Sequence, residues 1–181
     1  MSVQIIKISK QGLIRWIDME GAEVPAGITE RCTVEHIQQA LAQMEGVRVA
    51  SAEINTAGEF LSPMPPMPGF DPMIRNLPDF CDVRIYQDTP GGHVAHITVW
   101  VPLRWNGRFM GVGGGGNRTI VLWDAPDFLG ATAIANALRN GFAVAITDAG
   151  NRDERVHSWG LDVKTRELDW ELIRNWAHRS I

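Results

Sequence analysis

Trp105-Asn106-Gly107-Arg108-Phe109-Met110-Gly111-Val112 runs directly into Gly113-Gly114-Gly115-Gly116-Asn117. The apolar run from Phe109 to Val112 predicts a short buried strand, and the glycines predict a sharp loop at its end. Glycine has no Cβ and tolerates positive φ, so such a loop can aim bare backbone N–H groups at a ligand. Two chemistries use a loop of this kind. The first holds a pyrophosphate, and Gly111 to Gly116 satisfies GxGxxG formally. That motif needs a helix opening inside the glycines and an acidic residue about 20 positions further on. Here the next helical pattern starts near Ala131, after a proline-containing loop, and Asp148 lies too far along. A Walker A loop is excluded, because no Lys-Ser or Lys-Thr follows the glycines.

The second chemistry stabilises a developing oxyanion in acyl transfer. One donor then comes from a glycine-rich loop after a strand and the other from the residue after the nucleophile. Each fixed donor contributes about 3–4 kcal/mol of transition-state stabilisation.

The elements around the loop suit a strand-and-helix scaffold. Ala131, Ile134, Ala135 and Leu138 mark a helix closed by Asn140-Gly141, and Phe142 to Ile146 reads as a strand covered on both faces. A last helix is expected from a Thr165 cap, with Leu168, Leu172 and Trp176 at helical spacing and His178 and Arg179 near its end. Upstream, Thr33 caps a helix through Val34, Ile37, Leu41 and Met44 that Gly46 stops, and Val47, Val49 and Ile54 form a strand. Phe80 to Tyr86 and Val94 to Val101 read as strands joined by a hairpin turn at Pro90-Gly91-Gly92. In the second of them Ile97, Val99 and Val101 share one face, and His96, Thr98 and Trp100 the other. Pro63 to Pro72 is an extended connection. Val3, Ile5 and Ile8 suggest a short strand in an otherwise poorly tied stretch. The alternation in the second half predicts an α/β fold with a parallel sheet. The strand that would carry a nucleophile is expected next, past Ile181.

The composition bounds the function. The 181 residues suffice for one domain with a sizeable core. A net charge of −4 with scattered Lys and Arg gives no footprint for nucleic acid. No apolar run approaches the roughly 20 residues of a membrane span. Met1 to Lys10 lacks the apolar core of a secretory signal, so the chain reads as cytoplasmic or as shown without its natural start. Cys32 and Cys81 have no metal-ligand spacing, and either two buried thiols or one bridge is open to them.

Several stretches resemble the tannase and feruloyl esterase family. They are Leu77-Pro78-Asp79-Phe80-Cys81-Asp82-Val83, Val99 to Phe109, Gly111 to Gly115, Asn140 to Gly150, and Ser158-Trp159. The matches fall in order over residues 32 to 178. The resemblance implies secreted or periplasmic α/β-hydrolases that cleave gallate- or ferulate-type esters with a Ser/Asp/His triad. It further implies a calcium-binding lid domain and a disulfide between Cys32 and Cys81. Gly114, Gly115 and Gly116 match the oxyanion loop.

The departures are equally specific. No GxSxG and no Cys-Ser-x-Gly-Gly occurs, and Asn151 stands where the family has His. Ser158, in His157-Ser158-Trp159-Gly160, lacks the preceding strand of a nucleophile elbow. His36, His93, His96, His157 and His178 show no acid and serine partners and read as surface or packing residues. The expected fold class is therefore α/β, an incomplete α/β-hydrolase-type sheet, with a 1–30 extension and 31–181 as the domain portion ahead of the nucleophile and lid. The expected function is a fragment of a serine carboxylic-ester hydrolase for aromatic esters, inactive alone, without a cofactor in this chain. A small aromatic ester is the expected substrate of the full-length parent. An unpaired sheet edge would promote self-association. A non-catalytic binding module, or a dinucleotide-binding domain using Gly111–Gly116, is the alternative.

Overall fold

A computed structural model describes residues 3–8, 14–19, 27–62, 71–113, 128–151 and 158–179. Strands β1 (Val3–Ile8) and β2 (Ile14–Met19) form an antiparallel hairpin of their own. Two short helices follow, α1 (Ile28–Arg31) and α2 (Val34–Ala40). As expected, Thr33 caps α2, its hydroxyl accepting from His36 N at 3.2 Å. The helix stops at Leu41, earlier than the apolar spacing suggested, and Gly46 sits at φ 70° before the next strand.

The main sheet has five strands, β3 (Val47–Asn55), β6 (Phe80–Thr89), β7 (His93–Pro102), β8 (Phe109–Gly111) and β9 (Ala143–Thr147). Between β3 and β6 in sequence, β4 (Glu59–Leu61) and β5 (Met73–Arg75) pair with each other. The spatial order is β3-β6-β7-β9-β8. Only β8 and β9 run parallel, joined by α3 (Phe128–Arg139), and the other three pairings are antiparallel. The sheet is thus mixed, as an α/β fold allows, and the expected parallel pairing is confined to β8 and β9. The helical crossover that a parallel pair requires exists once, whereas β6 and β7 join through the Pro90-Gly91-Gly92 turn, with Gly91 and Gly92 at φ 85° and 76°.

Strand alternation gives the sheet two unlike faces. On one, Phe80, Trp100, Val144, Ile134 and Leu138 are fully buried, so α3 and Phe60 from β4 close a core around Trp100. The Phe60 and Phe80 rings lie 5.0 and 4.6 Å from that indole. On the other face Cys81, Val83, Val99 and Val101 meet Ile28, Cys32 and Ile37. There Cys32 and Cys81 are bonded, with Cα atoms 5.8 Å apart, which decides the question their spacing left open.

β8 differs from its expected setting. It pairs with β9 on one side and ends the sheet on the other, leaving Phe109 63% and Met110 37% exposed. An apolar run signals a strand but does not say which of its sides is covered. At the opposite end of the sheet, the Gln38 side chain donates to Val47 O at 3.2 Å and accepts from Val49 N at 2.7 Å. The register of β3 shifts between Val49 and Ser51, a bulge that follows at once.

The final helix also starts later than its spacing suggested. Asp162 Oδ1 accepts from Lys164 N and Thr165 N at 2.8 Å each, and Arg166 takes φ 64°. This local turn outcompetes helix nucleation at Thr165. Asp169 is the cap of α4 (Trp170–Arg174), accepting from Leu172 N at 2.9 Å, and a π-helical turn, Asn175–Arg179, continues it.

Candidate functional site

The residues that set the entry to β8 lie before it in the chain. Gly107 at φ 81° reverses the chain, and Trp105 Nε1 donates to Arg108 O at 2.6 Å. Asn106 works as a clamp. Its Oδ1 accepts from Arg108 N at 2.9 Å, its Nδ2 donates to Asn140 O at 2.9 Å, and its backbone N donates to Gly141 O at 2.9 Å. Gly141, at φ 79°, closes α3, its N donating to Leu138 O at 2.9 Å while Phe142 N reaches Ala137 O at 3.1 Å. A Cβ on Gly141 would come within 3.2 Å of Asn106 Nδ2. The Trp-Asn-Gly-Arg and Asn-Gly-Phe stretches therefore form one joint that sets the start of both parallel strands.

From that joint, β8 and β9 run side by side to their carboxyl ends. Val112 N donates to Ala145 O at 2.9 Å, one residue beyond β8. Gly111, Val112 and Gly113 then reach the wall of an open cleft of about 820 Å³, shared with Ile97, Thr147 and Trp176. No described atom lies within 4 Å of a Cβ built on Gly111 or Gly113, so each faces open space. Gly114, Gly115 and Gly116, the oxyanion candidates, lie outside the described residues, as do Asn117 to Asp127 and His157. Among the described residues the helix after β8 starts at Phe128, past the glycines, which disfavours the pyrophosphate geometry.

The other side of the rim is a tight turn after β9. Asp148 is 2% exposed, and its Oδ1 accepts from His96 N and Gly150 N at 2.8 Å each. The backbone between them takes φ 56° at Ala149 and 79° at Gly150. Asp148 thus fixes the departure of the chain from the sheet, and Asn151 beyond it is fully buried.

His93 packs within the fold, and there it gains an acid neighbour. Its Nε2 lies 2.9 Å from Asp169 Oδ2, and both side chains are largely buried. Next to it, Asn175 Nδ2 donates to Thr89 Oγ1 at 3.1 Å and to Pro90 O at 3.2 Å. The pair fastens α4 onto the β6/β7 hairpin. With Asp169 also capping α4 through its other oxygen, this is a structural role. Nothing in the sequence could have linked residues so far apart. Ser158 opens a turn, and its carbonyl accepts from Leu161 N at 3.1 Å. His36 and His178 are on α2 and the π-helical turn, and His96 is 7% exposed on β7.

A second polar group occupies the α3 side of the sheet. Arg84 donates to Asp82 Oδ2 and to Thr98 Oγ1, each at 2.8 Å. Burial pushes the Asp82 carboxyl above its ordinary range, against the Arg84 guanidinium, which pulls it down. Trp100 lies directly opposite Asp82 on β7. Among the described residues no three His, Cys, Asp or Glu side chains come together as metal ligands.

The chain's relatives agree with this architecture. No protein-family model matches the sequence. It is 31% identical over 126 residues to a probable feruloyl esterase of Arthroderma benhamiae, covering 67% of this chain and 21% of that protein. It is 30% identical over 81 residues to a probable feruloyl esterase B-2 of Aspergillus flavus, covering 45% of this chain and 14% of that protein. An esterase from Aspergillus oryzae shares the fold, with TM-score 0.59 and 18% identity over 86% of this chain and 27% of that one. So does a tannin acyl hydrolase from Aspergillus niger, with TM-score 0.53 and 17% identity over 84% and 27%. The chain therefore spans about a fifth of the length of the first curated relative and about a quarter of the structural ones. Over that portion, it is related to the tannase and feruloyl esterase family.

Proposed function

We propose that this chain supplies the glycine-loop part of a serine carboxylic-ester hydrolase acting on aromatic, gallate- or ferulate-type esters. In this reading Gly114, Gly115 and Gly116 provide the first oxyanion donor, and the nucleophile, acid and base come from polypeptide outside these 181 residues. The observation that carries the reading is the position of Gly111 to Gly113. They leave the carboxyl end of the parallel β8 at the wall of a cleft, with open space where a Cβ would stand. Ligands of α/β sheets bind at such carboxyl ends. Alone, the chain is a receptor for negative charge with nothing to attack the carbonyl, because its sequence holds no GxSxG. The Cys32–Cys81 bond supports folding in an oxidising compartment, secreted or periplasmic.

The test is an assay of the purified chain on methyl gallate and methyl ferulate. No turnover above buffer is expected. Clear turnover that survives replacement of every serine would overturn the assignment of the chemistry. So would tight binding of a dinucleotide lost on substitution of Gly113.

A further inference from the structure

The bulge in β3 moves a hydroxyl from one side of the sheet to the other. Val49 packs against the disulfide cluster, and strict alternation would return Ser51 to that same side. The register shift between them instead sets Ser51 opposite Arg84, whose neighbours Val83 and Ile85 take the disulfide side. Across the next pairing, Arg84 lies opposite Thr98 and Tyr86 opposite His96, so all these side chains share the face that carries Trp100. They border a cavity of about 330 Å³, which Ala50, Ile85 and Ile97 complete.

That lining is rich in donors and poor in acceptors. A guanidinium carries five N–H groups. Arg84 spends one on Asp82 Oδ2 and one on Thr98 Oγ1. Thr98 is 2% exposed, and its own hydroxyl hydrogen meets no described acceptor. The Ser51 and Tyr86 hydroxyls have no described hydrogen-bond partner either. Among the described residues the lining holds no carboxylate. Asp82 is bound to Arg84 outside it, and Asp88 lies beside Arg48, whose guanidinium sits 4.9 Å over the Tyr86 ring. Polar groups so withdrawn from water call for a partner.

We infer that this cavity binds a small organic carboxylate, its oxygens taken by the spare Arg84 N–H groups and by the Ser51 and Thr98 hydroxyls. A planar guanidinium fork matches a carboxylate, and charge-assisted hydrogen bonds of this kind are the strong ones. The apolar remainder of the ligand lies against Ala50, Ile85 and Ile97. Inorganic phosphate or sulfate would leave that part of the wall unused, and the volume exceeds what such an ion fills. The site needs no ester chemistry, so the inference stands or falls independently of the proposed function.

The experiment titrates the full, isotope-labelled chain with benzoate, acetate and inorganic phosphate at matched ionic strength. The Arg84 Nε–H resonance and the Ser51 and Thr98 amides report binding by NMR. Expected is saturable binding of benzoate, weaker binding of acetate, which lacks the apolar part, and no saturation by phosphate. Arg84→Lys keeps the charge without the fork and should weaken benzoate binding about tenfold. Ser51→Ala removes a hydroxyl with no described partner, so it spares the fold and should weaken binding about fivefold. Arg75→Gln, on an exposed arginine elsewhere, should leave it unchanged. Absence of saturation by benzoate would overturn the inference. So would binding that Ser51→Ala leaves intact, binding that Arg75→Gln weakens as much, or phosphate binding as tight as benzoate.

Discussion

Asn106 and Asn140, 34 residues apart, are joined by a 2.9 Å bond from the side-chain Nδ2 of the first to the carbonyl of the second. This bond and its neighbours make the start of β8 depend on how α3 ends. Asn106→Ala removes that donor and the acceptor for Arg108 N, and should cost about 1–3 kcal/mol. Gly141→Ala places a Cβ at φ 79° against Asn106 and should cost about 1–2 kcal/mol. The double variant should lose less than the sum, because removing the Asn106 amide clears the space the Cβ needs. Urea denaturation of the four proteins measures the coupling.

Cutting the disulfide tests the other face. Cys32 and Cys81 close a loop with a separation of 49 residues. The paired Cys32→Ser, Cys81→Ser variant should be less stable by about 4 kcal/mol on the chain-entropy account. The expected signature is a lower urea midpoint that reductant does not lower further, whereas reductant brings the parent protein down to it.

Asp148→Ala should be among the costliest single changes. It strips two N–H groups, those of His96 and Gly150, of a buried carboxylate acceptor. A loss of about 3 kcal/mol or more is expected. The release of the β9 turn should appear as faster hydrogen exchange at His96 and Gly150.

Asp82 sets a pH dependence whose sign follows from its burial. Its folded-state carboxyl binds a proton more tightly than the ordinary value of 3.8 in the unfolded chain. The folded protein therefore takes up the proton first as pH falls, and this group's contribution to stability grows through its raised pKa and levels off below 3.8. As pH rises through the raised pKa the contribution is lost. Asp71 and Asp162 act with the opposite sign. Hydrogen bonds from the Arg75 side chain and from Thr165 N, respectively, lower their pKa values, and their stabilisation fades as pH falls. The difference between the parent and Asp82→Asn isolates the buried group: it should favour the parent more as pH drops, by chemical denaturation at a series of pH values.

How much of this was legible depended on how local each signal was. Thr33, the Asn140-Gly141 closure and the β6/β7 hairpin were readable because a cap or turn is decided within a few residues. The strand at Phe109 was readable as a strand, but its exposure depends on what lies beside it in space. Thr165 looked like a cap because a hydroxyl preceded a helical pattern, and only the Asp162 turn shows why Asp169 takes the role. The His93 and Asp169 partnership was beyond sequence reasoning, since both residues have ordinary local contexts. Gly114 to Gly116 carried the sharpest chemical expectation, and the described geometry brings the chain to their threshold.

The two ends of the main sheet are not equivalent. At β3 the Gln38 amide takes up the outward carbonyl of Val47 and the outward N–H of Val49, much as a neighbouring strand would, and the bulge kinks the strand immediately afterward. Further strands are barred there by a side chain in disguise and a bend. Among the described residues the sheet is thus polar, its β3 edge met by a side chain and its β8 edge by no further strand.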